Sequence, residues 1–348
     1  MPARRWVAVT ATADFPVALA PIKQALAGIA PVRTVPLPFR PLMPAEEASF
    51  ARRLRGAEGI LLRPGYITAS LLDRLPDLRA VAVHGAGVDQ VDVPACTQRG
   101  VLVTNAPGAN ADSVAELALG LMLSLARRIP EAARRVKEER AWGEARHTGR
   151  ELKGKTLGIV GLGQIGARLA RLAAALGMEV TAHDPALRPA EIRRRGARPL
   201  ALDALLREAD CLSLHAPLMP STHHLIDRKA IARMKKGAFL VNCARGPLVD
   251  ELAVARALRS GRLGGAALDV LEGEPPDPGS PIFGAPNLVL TPHMAGSTVE
   301  ALEAIARAAG EDLARVLSGK PPKFPVNRPS AGRSRLSSGE GRPEKAKR

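Results

Sequence analysis

Short apolar runs alternate with amphipathic stretches from Trp6 to about Thr104. The runs Trp6–Thr10, Val32–Val35, Gly59–Leu62, Leu78–Val83 and Val101–Thr104 predict strands, and Val17–Gly28 and Glu46–Arg55 carry apolar residues at helical spacing. A βα unit recurs about every 20 to 25 residues, the pattern of a parallel sheet covered by helices on both faces. From Asn105 the pattern changes. Ser113 and Glu116 have the spacing of a capping box, and Val114, Leu117, Ala118, Leu121, Met122 and Leu125 predict a long buried helix to about Arg128, bridging two domains. A charged stretch containing Trp142 and Gly143 then leads to Lys155, and a second βα series starts at Thr156. Ser297 and Glu300 repeat the capping spacing ahead of Leu302, Ile305, Ala306, Ala309, Leu313, Val316 and Leu317, a helix ended by Gly319 and Pro321-Pro322. From Asn327 onward almost nothing can be buried, so a disordered basic tail is expected.

The 348 residues suffice for two hydrophobic cores, and 46% hydrophobic with 24% charged residues is the balance of a globular protein. No run approaches the roughly 18 apolar residues of a membrane span, and the first residues lead into a strand rather than a signal segment, so a cytoplasmic protein is expected. Cys96, Cys211 and Cys243 are far apart and lack CxxC spacing, which predicts buried free thiols and neither disulfides nor zinc. The net charge of +16 is not concentrated: residues 328–348 carry +5 and the rest is scattered. With only 3% aromatic residues, this argues against a nucleic-acid partner and for an Arg-rich surface that attracts small anions.

The strongest local signal is Gly161-Leu-Gly163-Gln164-Ile165-Gly166, set between a strand (Leu157–Val160) and a helix ended by Gly177, with a second strand (Glu179–Ala182) leading to Asp184. Gly161 permits a tight turn, Gly163 lets the backbone approach a pyrophosphate, Gly166 allows close helix packing, and the helix N-terminus offers unpaired N–H groups. A carboxylate at Asp184 accepts ribose hydroxyls and repels a 2′-phosphate, favouring NAD(H), while Arg188 lies near enough in sequence to soften that preference.

Three later segments each place chemistry at a strand's carboxyl end: Arg245 in Asn242-Cys243-Ala244-Arg245-Gly-Pro, Asp269 and Glu274 in Ala-Leu-Asp-Val-Leu-Glu-Gly-Glu-Pro-Pro, and His293 in Thr-Pro-His-Met-Ala-Gly. Their order after the glycine motif resembles the D-isomer-specific 2-hydroxyacid dehydrogenase family, in its phosphoglycerate dehydrogenase-like branch. His84-Gly85-Ala86-Gly87-Val-Asp resembles that family's substrate-carboxylate loop, Asn105 to Glu116 its interdomain helix, and His215-Ala216-Pro217 through Thr222 the loop flanking the nicotinamide; the matches span about residues 60 to 300. The resemblance implies an α/β fold of two domains. A flavodoxin-like substrate domain (1–104 and 295–326) would contain an inserted Rossmann-type NAD-binding domain (105–294), leaving a tail at 327–348. It also implies a homodimer, NAD as cofactor, and a cofactor site that takes in Ser113, Cys243, Ala244 and Asp269.

The chemistry gives these residue types their roles. Reducing a 2-keto acid needs a hydride at the carbonyl carbon, a proton at its oxygen and a grip on the carboxylate. A guanidinium at Arg245 serves the grip and polarises the developing alkoxide. His293 is the proton donor, helped by an adjacent carboxylate that the resemblance assigns to Glu274. Asp269 reads as strand-end support rather than a proton carrier, and Cys243 as a structural thiol. The amides of Gly85, Ala86 and Gly87 offer an anion nest, and Arg63 is a further substrate-binding candidate; His84 is either a substrate neighbour or a hydrogen-bonded strand-end histidine. His223 and His224 are adjacent, so no metal pair is offered. Where the branch usually has Arg-Ser, this chain has Arg63-Pro64-Gly65, so hydroxypyruvate or glyoxylate fits at least as well as a phosphorylated acid such as 3-phosphoglycerate. The alternative expectation is an NAD(H)-sensing corepressor-like protein on the same fold.

Overall fold

The computed structural model describes residues 5–143 and 148–329. They form two compact units. The chain leaves the first at Asn110, builds the second over Ala111–Thr298, and resumes the first at Val299. These boundaries lie a few residues beyond the expected 104 and 294.

The first unit contains five parallel strands, β1 (Trp6–Thr10), β2 (Val32–Thr34), β3 (Ala57–Leu62), β4 (Ala80–Val83) and β5 (Leu102–Thr104), in the order β2-β1-β3-β4-β5. Because side chains alternate across a strand, Trp6 and Ala8 enter one core with Phe50, Ile60 and Leu62, while Val7 and Val9 enter the other with Ile22, Leu61 and Leu313. Two-sided burial is why these strands read as continuous apolar runs. The helix Val299–Leu317 returns to this unit and supplies Ala306, Ala309, Leu313 and Val316 to the second of those cores.

The second unit carries seven parallel strands, β6 (Thr156–Val160), β7 (Glu179–His183), β8 (Arg198–Pro199), β9 (Cys211–Leu214), β10 (Ala238–Asn242), β11 (Leu263–Leu268) and β12 (Leu288–Leu290). Their order, β12-β11-β10-β9-β6-β7-β8, is the doubly wound arrangement, with its switch point between β6 and β9. Leu157, Ile159, Phe239 and Val241 face one core, and Val160, Leu212, Leu214 and Leu240 face the other.

Several boundaries differ from expectation. The helix foreseen from Ser113 begins at Ala111, so Ser113 lies inside its first turn and is not a cap; its hydroxyl bonds Thr298 Oγ1 at 2.8 Å instead. This helix, Ala111–Ala126, packs into the second unit's core through Val114, Ala118, Leu121 and Met122 rather than standing as a bridge. The last long helix begins at Val299, after Thr298, and not directly after Ser297. Between Ile129 and Glu139, within the charged stretch, the chain is helical with no buried residue, stitched by Arg134–Glu138 and Arg135–Glu139 pairs at i,i+4. Asn327 is not the start of a tail. It is buried, accepts the Val103 amide at 2.8 Å and donates to Val101 O, tying the chain back beside β5. The remainder of the proposed tail, 330–348, lies outside the described residues. Among the described residues no helix is long and apolar enough to cross a membrane, and all three cysteines are buried free thiols.

Candidate active site

Register gathers the second unit's candidate residues. One row of paired residues crosses six strands: His183, Val160, Leu214, Asn242, Leu268 and Leu290. Asp184, Gly161, His215 and Asp269 follow their row members immediately, and Arg245 and His293 follow theirs by three. Every one of them therefore sits on the carboxyl edge of the sheet, where open α/β sheets take ligands.

At the switch point Gly161 has φ +88°, a left-handed conformation, and a Cβ on it would lie 2.7 Å from His215 C and Ala216 N. A Cβ on Gly166 would fall 2.3 Å from Gly161 O, so the helix Gln164–Ala175 rests directly on the turn. Around Gly163 there is open space and it is exposed, as is Gln164, so the first amides of this helix, Gln164 and Ile165 included, face outward. Asp184 accepts Leu162 N at 2.8 Å and Ala186 N at 3.0 Å, which fixes its carboxylate beside the glycine turn while each oxygen keeps a lone pair. Arg188 is turned to Glu191 at the surface, and Arg195 instead reaches the turn, at 2.6 Å from Leu162 O. The close packing, open space and oriented acid suit a dinucleotide.

The loop after β9 is shaped internally. Thr222 Oγ1 accepts Met219 N and donates to Pro217 O at 2.8 Å, so its hydroxyl holds the loop's form. His215 Nε2 lies 2.9 Å from Ser213 Oγ, and burial pushes this imidazole down to about 4.

Beyond β10, Asn242 accepts Ala244 N and donates to Arg245 O at 2.8 Å, an anchor for the arginine loop that the sequence reading passed over. Its sequence signal is an amide side chain ending the otherwise apolar run Ala238–Asn242; the structure shows that Asn to be fully buried. Cys243 is buried and its thiol is raised by burial, then by the Asp269 charge, which agrees with a structural role. A Cβ on Gly246 would meet Leu271 O at 1.9 Å, so the Arg245 loop abuts the one carrying Glu274.

His293 Nδ1 and Glu274 Oε2 are 2.6 Å apart, with the imidazole 45% and the carboxylate 24% exposed. Leu271 N donates to the other Glu274 oxygen at 3.2 Å. Asp269 builds the histidine loop: its buried carboxylate accepts Thr291 Oγ1 (2.6 Å), Met294 N (2.9 Å) and Ala295 N (2.9 Å), and its carbonyl accepts His293 N (2.7 Å). Burial raises the Asp269 carboxyl, and those three donors and the His293 charge oppose the rise. These bonds hold His293 at φ +50°, a conformation unusual outside glycine.

In the first unit two expectations need correction. Gly85 N donates to Val83 O at 2.9 Å, a short turn that takes it out of the anion nest and leaves Ala86 and Gly87. His84 is 5% exposed and turned inward, its Nδ1 3.3 Å from Arg63 Nη1, so it supports Arg63 rather than facing a substrate. Burial, then the Arg63 charge, pushes it down to about 3.

The family model for the D-isomer specific 2-hydroxyacid dehydrogenase NAD binding domain matches residues 119–295. The D-3-phosphoglycerate dehydrogenase of Methanocaldococcus jannaschii is 40% identical over 287 residues, 82% of this chain and 54% of that protein. The glyoxylate reductase of Thermofilum pendens is 38% identical over 290 residues, 82% of this chain and 86% of that protein. The chain thus spans about half the length of the phosphoglycerate dehydrogenases it matches. Among solved structures, the Aquifex aeolicus D-lactate dehydrogenase complexed with NAD and lactic acid superposes with a TM-score of 0.79 at 30% identity, covering 93% of this chain and 100% of that one. With a glycine turn, an arginine and a histidine–glutamate pair on one sheet edge and these relatives beside it, the chain belongs to the D-isomer-specific 2-hydroxyacid dehydrogenase family.

Proposed function

We propose that the protein is an NAD-dependent D-2-hydroxyacid dehydrogenase that interconverts a small 2-keto acid, such as hydroxypyruvate or glyoxylate, with its D-2-hydroxy acid. The observation that carries this reading is the 2.6 Å bond between His293 Nδ1 and Glu274, on the same edge as Arg245. Glu274 accepts from Nδ1, which leaves Nε2 as the nitrogen that gives a proton to the carbonyl oxygen in reduction and takes it back in oxidation. Arg245 binds the substrate carboxylate and stabilises charge developing on the oxygen. In the first unit, Ala86, Gly87 and Arg63 are the groups assigned to substrate binding.

The residues of the glycine turn fit NAD, with Gly161, Gly163, Gln164, Ile165 and Gly166 at the pyrophosphate and Asp184 at the ribose. His215, Ala216, Pro217, Thr222, Cys243, Ala244, Asp269 and Ser113 complete its surroundings, Asp269 and Thr222 acting through the loops they shape. NADH, when bound, supplies the hydride. Relatives named for phosphoglycerate keep 3-phosphoglycerate among the candidate substrates, and Arg63-Pro64-Gly65 favours the unphosphorylated acids. A cytoplasmic homodimer completes the reading.

The test is loss of NADH absorbance in the near ultraviolet with hydroxypyruvate, glyoxylate, pyruvate and phosphohydroxypyruvate in parallel. Turnover is expected with hydroxypyruvate or glyoxylate. Tight NADH binding with no turnover on any of the four would overturn the proposal in favour of nucleotide sensing.

A further inference from the structure

A second histidine–carboxylate pair stands beside the first. His224 Nε2 and Glu272 Oε1 are 2.9 Å apart, both partly exposed, and the reaction assigned above uses neither. His224 belongs to a segment stitched along the arginine loop. Its amide donates to Pro247 O at 2.8 Å, Ile226 N donates to Leu248 O at 3.0 Å, and Ile226 forms a parallel bridge with Val249. Glu272 belongs to the loop of Glu274. The same carboxylate also accepts the amide of Glu251, at 3.4 Å, and Glu251 Oε1 in return accepts Glu272 N. Glu251 opens the helix that follows the arginine loop, so both partners of Glu272 are fixed to the Arg245 side.

The arrangement is costly in ways that packing alone does not require. His224 holds φ +49°, which a non-glycine residue adopts with strain, and its ring is stacked on His223 with centroids 4.1 Å apart. Glu251 is raised by burial and by the charges of Glu272 and Glu274, so three carboxylates are gathered against mutual repulsion. Gly246 is pressed on the Leu271 carbonyl, and the polar ties between the loops run through the carboxylates of Glu272 and Glu251.

We propose that His224 and Glu272 form a clasp that holds the Glu274 loop on the Arg245 loop, making them positioning residues for the proton-donating pair. The inference rests on the dehydrogenase reading above. Glu274 lies two residues past Glu272, so a loosened clasp moves the carboxylate that orients His293. Displacements of this size act on kcat more than on KM, because the ground-state grip of Arg245 survives while the proton donor is misaimed.

His224→Gly suits the test because glycine accepts the positive φ, so only the imidazole is lost. The clasp predicts kcat lower by roughly five- to twentyfold with KM for the keto acid within about twofold. Glu272→Ala should match it, and the double variant should be no worse than either alone. Glu272→Gln keeps an oxygen for His224 Nε2–H and Glu251 N–H and should stay within about twofold of wild type. Unchanged kcat in His224→Gly, independent multiplying losses in the double variant, or a Gln variant as poor as the Ala variant would each overturn the clasp. Amide hydrogen exchange over 271–274, read in the same variants without substrate, should quicken about tenfold. Unchanged exchange there also overturns the clasp, whereas a wild-type enzyme inactive on every acid would instead bring down the dehydrogenase reading.

Discussion

After β3 and β4 the first sheet ends in Arg63 and His84; after β10 and β12 the second ends in Arg245 and His293. The residue types match and both pairs lie just past the carboxyl ends of strands, yet the two edges treat them oppositely. His84 is 5% exposed against an arginine, and both burial and that neighbouring charge disfavour its protonated form. His293 is 45% exposed, and its neighbour at 2.6 Å is a carboxylate. One histidine is a neutral strut and the other is equipped to carry a proton. An imidazole becomes an acid–base group through solvent access and the sign of the nearest charge, so its place at a strand end tells only half of what matters.

The comparison breaks most visibly at His293. His293→Ala should lower turnover by about 10² to 10⁴ and leave NADH affinity within about twofold. Turnover that survived in steady-state assays would remove His293 from proton transfer. Replacing the partner, Glu274→Gln, preserves shape and an acceptor for Leu271 N but deletes the charge; a loss of about 10 to 10² in kcat is expected. Rates equal to wild type across the pH range would show that Nδ1 needs no anion.

The buried histidines sharpen the other side. His84, at about 3, and His215, at about 4, are both held below the ordinary imidazole value, so the unfolded chain binds protons first as the pH falls. Their contribution to stability is complete above roughly pH 6.5 and drains away on acidification, toward about pH 4 for His215 and about pH 3 for His84, by on the order of a few kcal/mol together. Denaturant midpoints measured between those limits should fall, and more shallowly in His215→Gln. A midpoint independent of pH would mean that these rings do not stay neutral in the folded protein.

Much of this was legible beforehand. Strands β1, β3 and β4 announce themselves as apolar runs because both faces are covered, and the glycine motif is explicit because Gly161 needs a left-handed turn and Gly166 needs contact with Gly161 O. The histidine–glutamate pair was anticipated only through resemblance, since Glu274 and His293 are 19 residues apart and nothing in their spacing brings them together. The helix Ile129–Glu139 buries nothing, and its few apolar positions, Ile129, Ala132, Ala133 and Val136, stand among charges, so from sequence it reads only as a charged, exposed stretch. The fate of Gly85 N–H was equally hidden: a Gly-Ala-Gly sequence fits an open nest and a closed turn alike, and the bond to Val83 O is a matter of backbone angle.

By itself the chain of residues determined which segments are strands, where the phosphate turn falls and which side chains have the chemistry for hydride partnering, because these follow from local periodicity and functional-group type. Tertiary structure alone decided which histidine meets a carboxylate and which meets a guanidinium, and how far each is withdrawn from water. Those are properties of strands laid in register across a sheet, where the deciding neighbours come from distant parts of the chain.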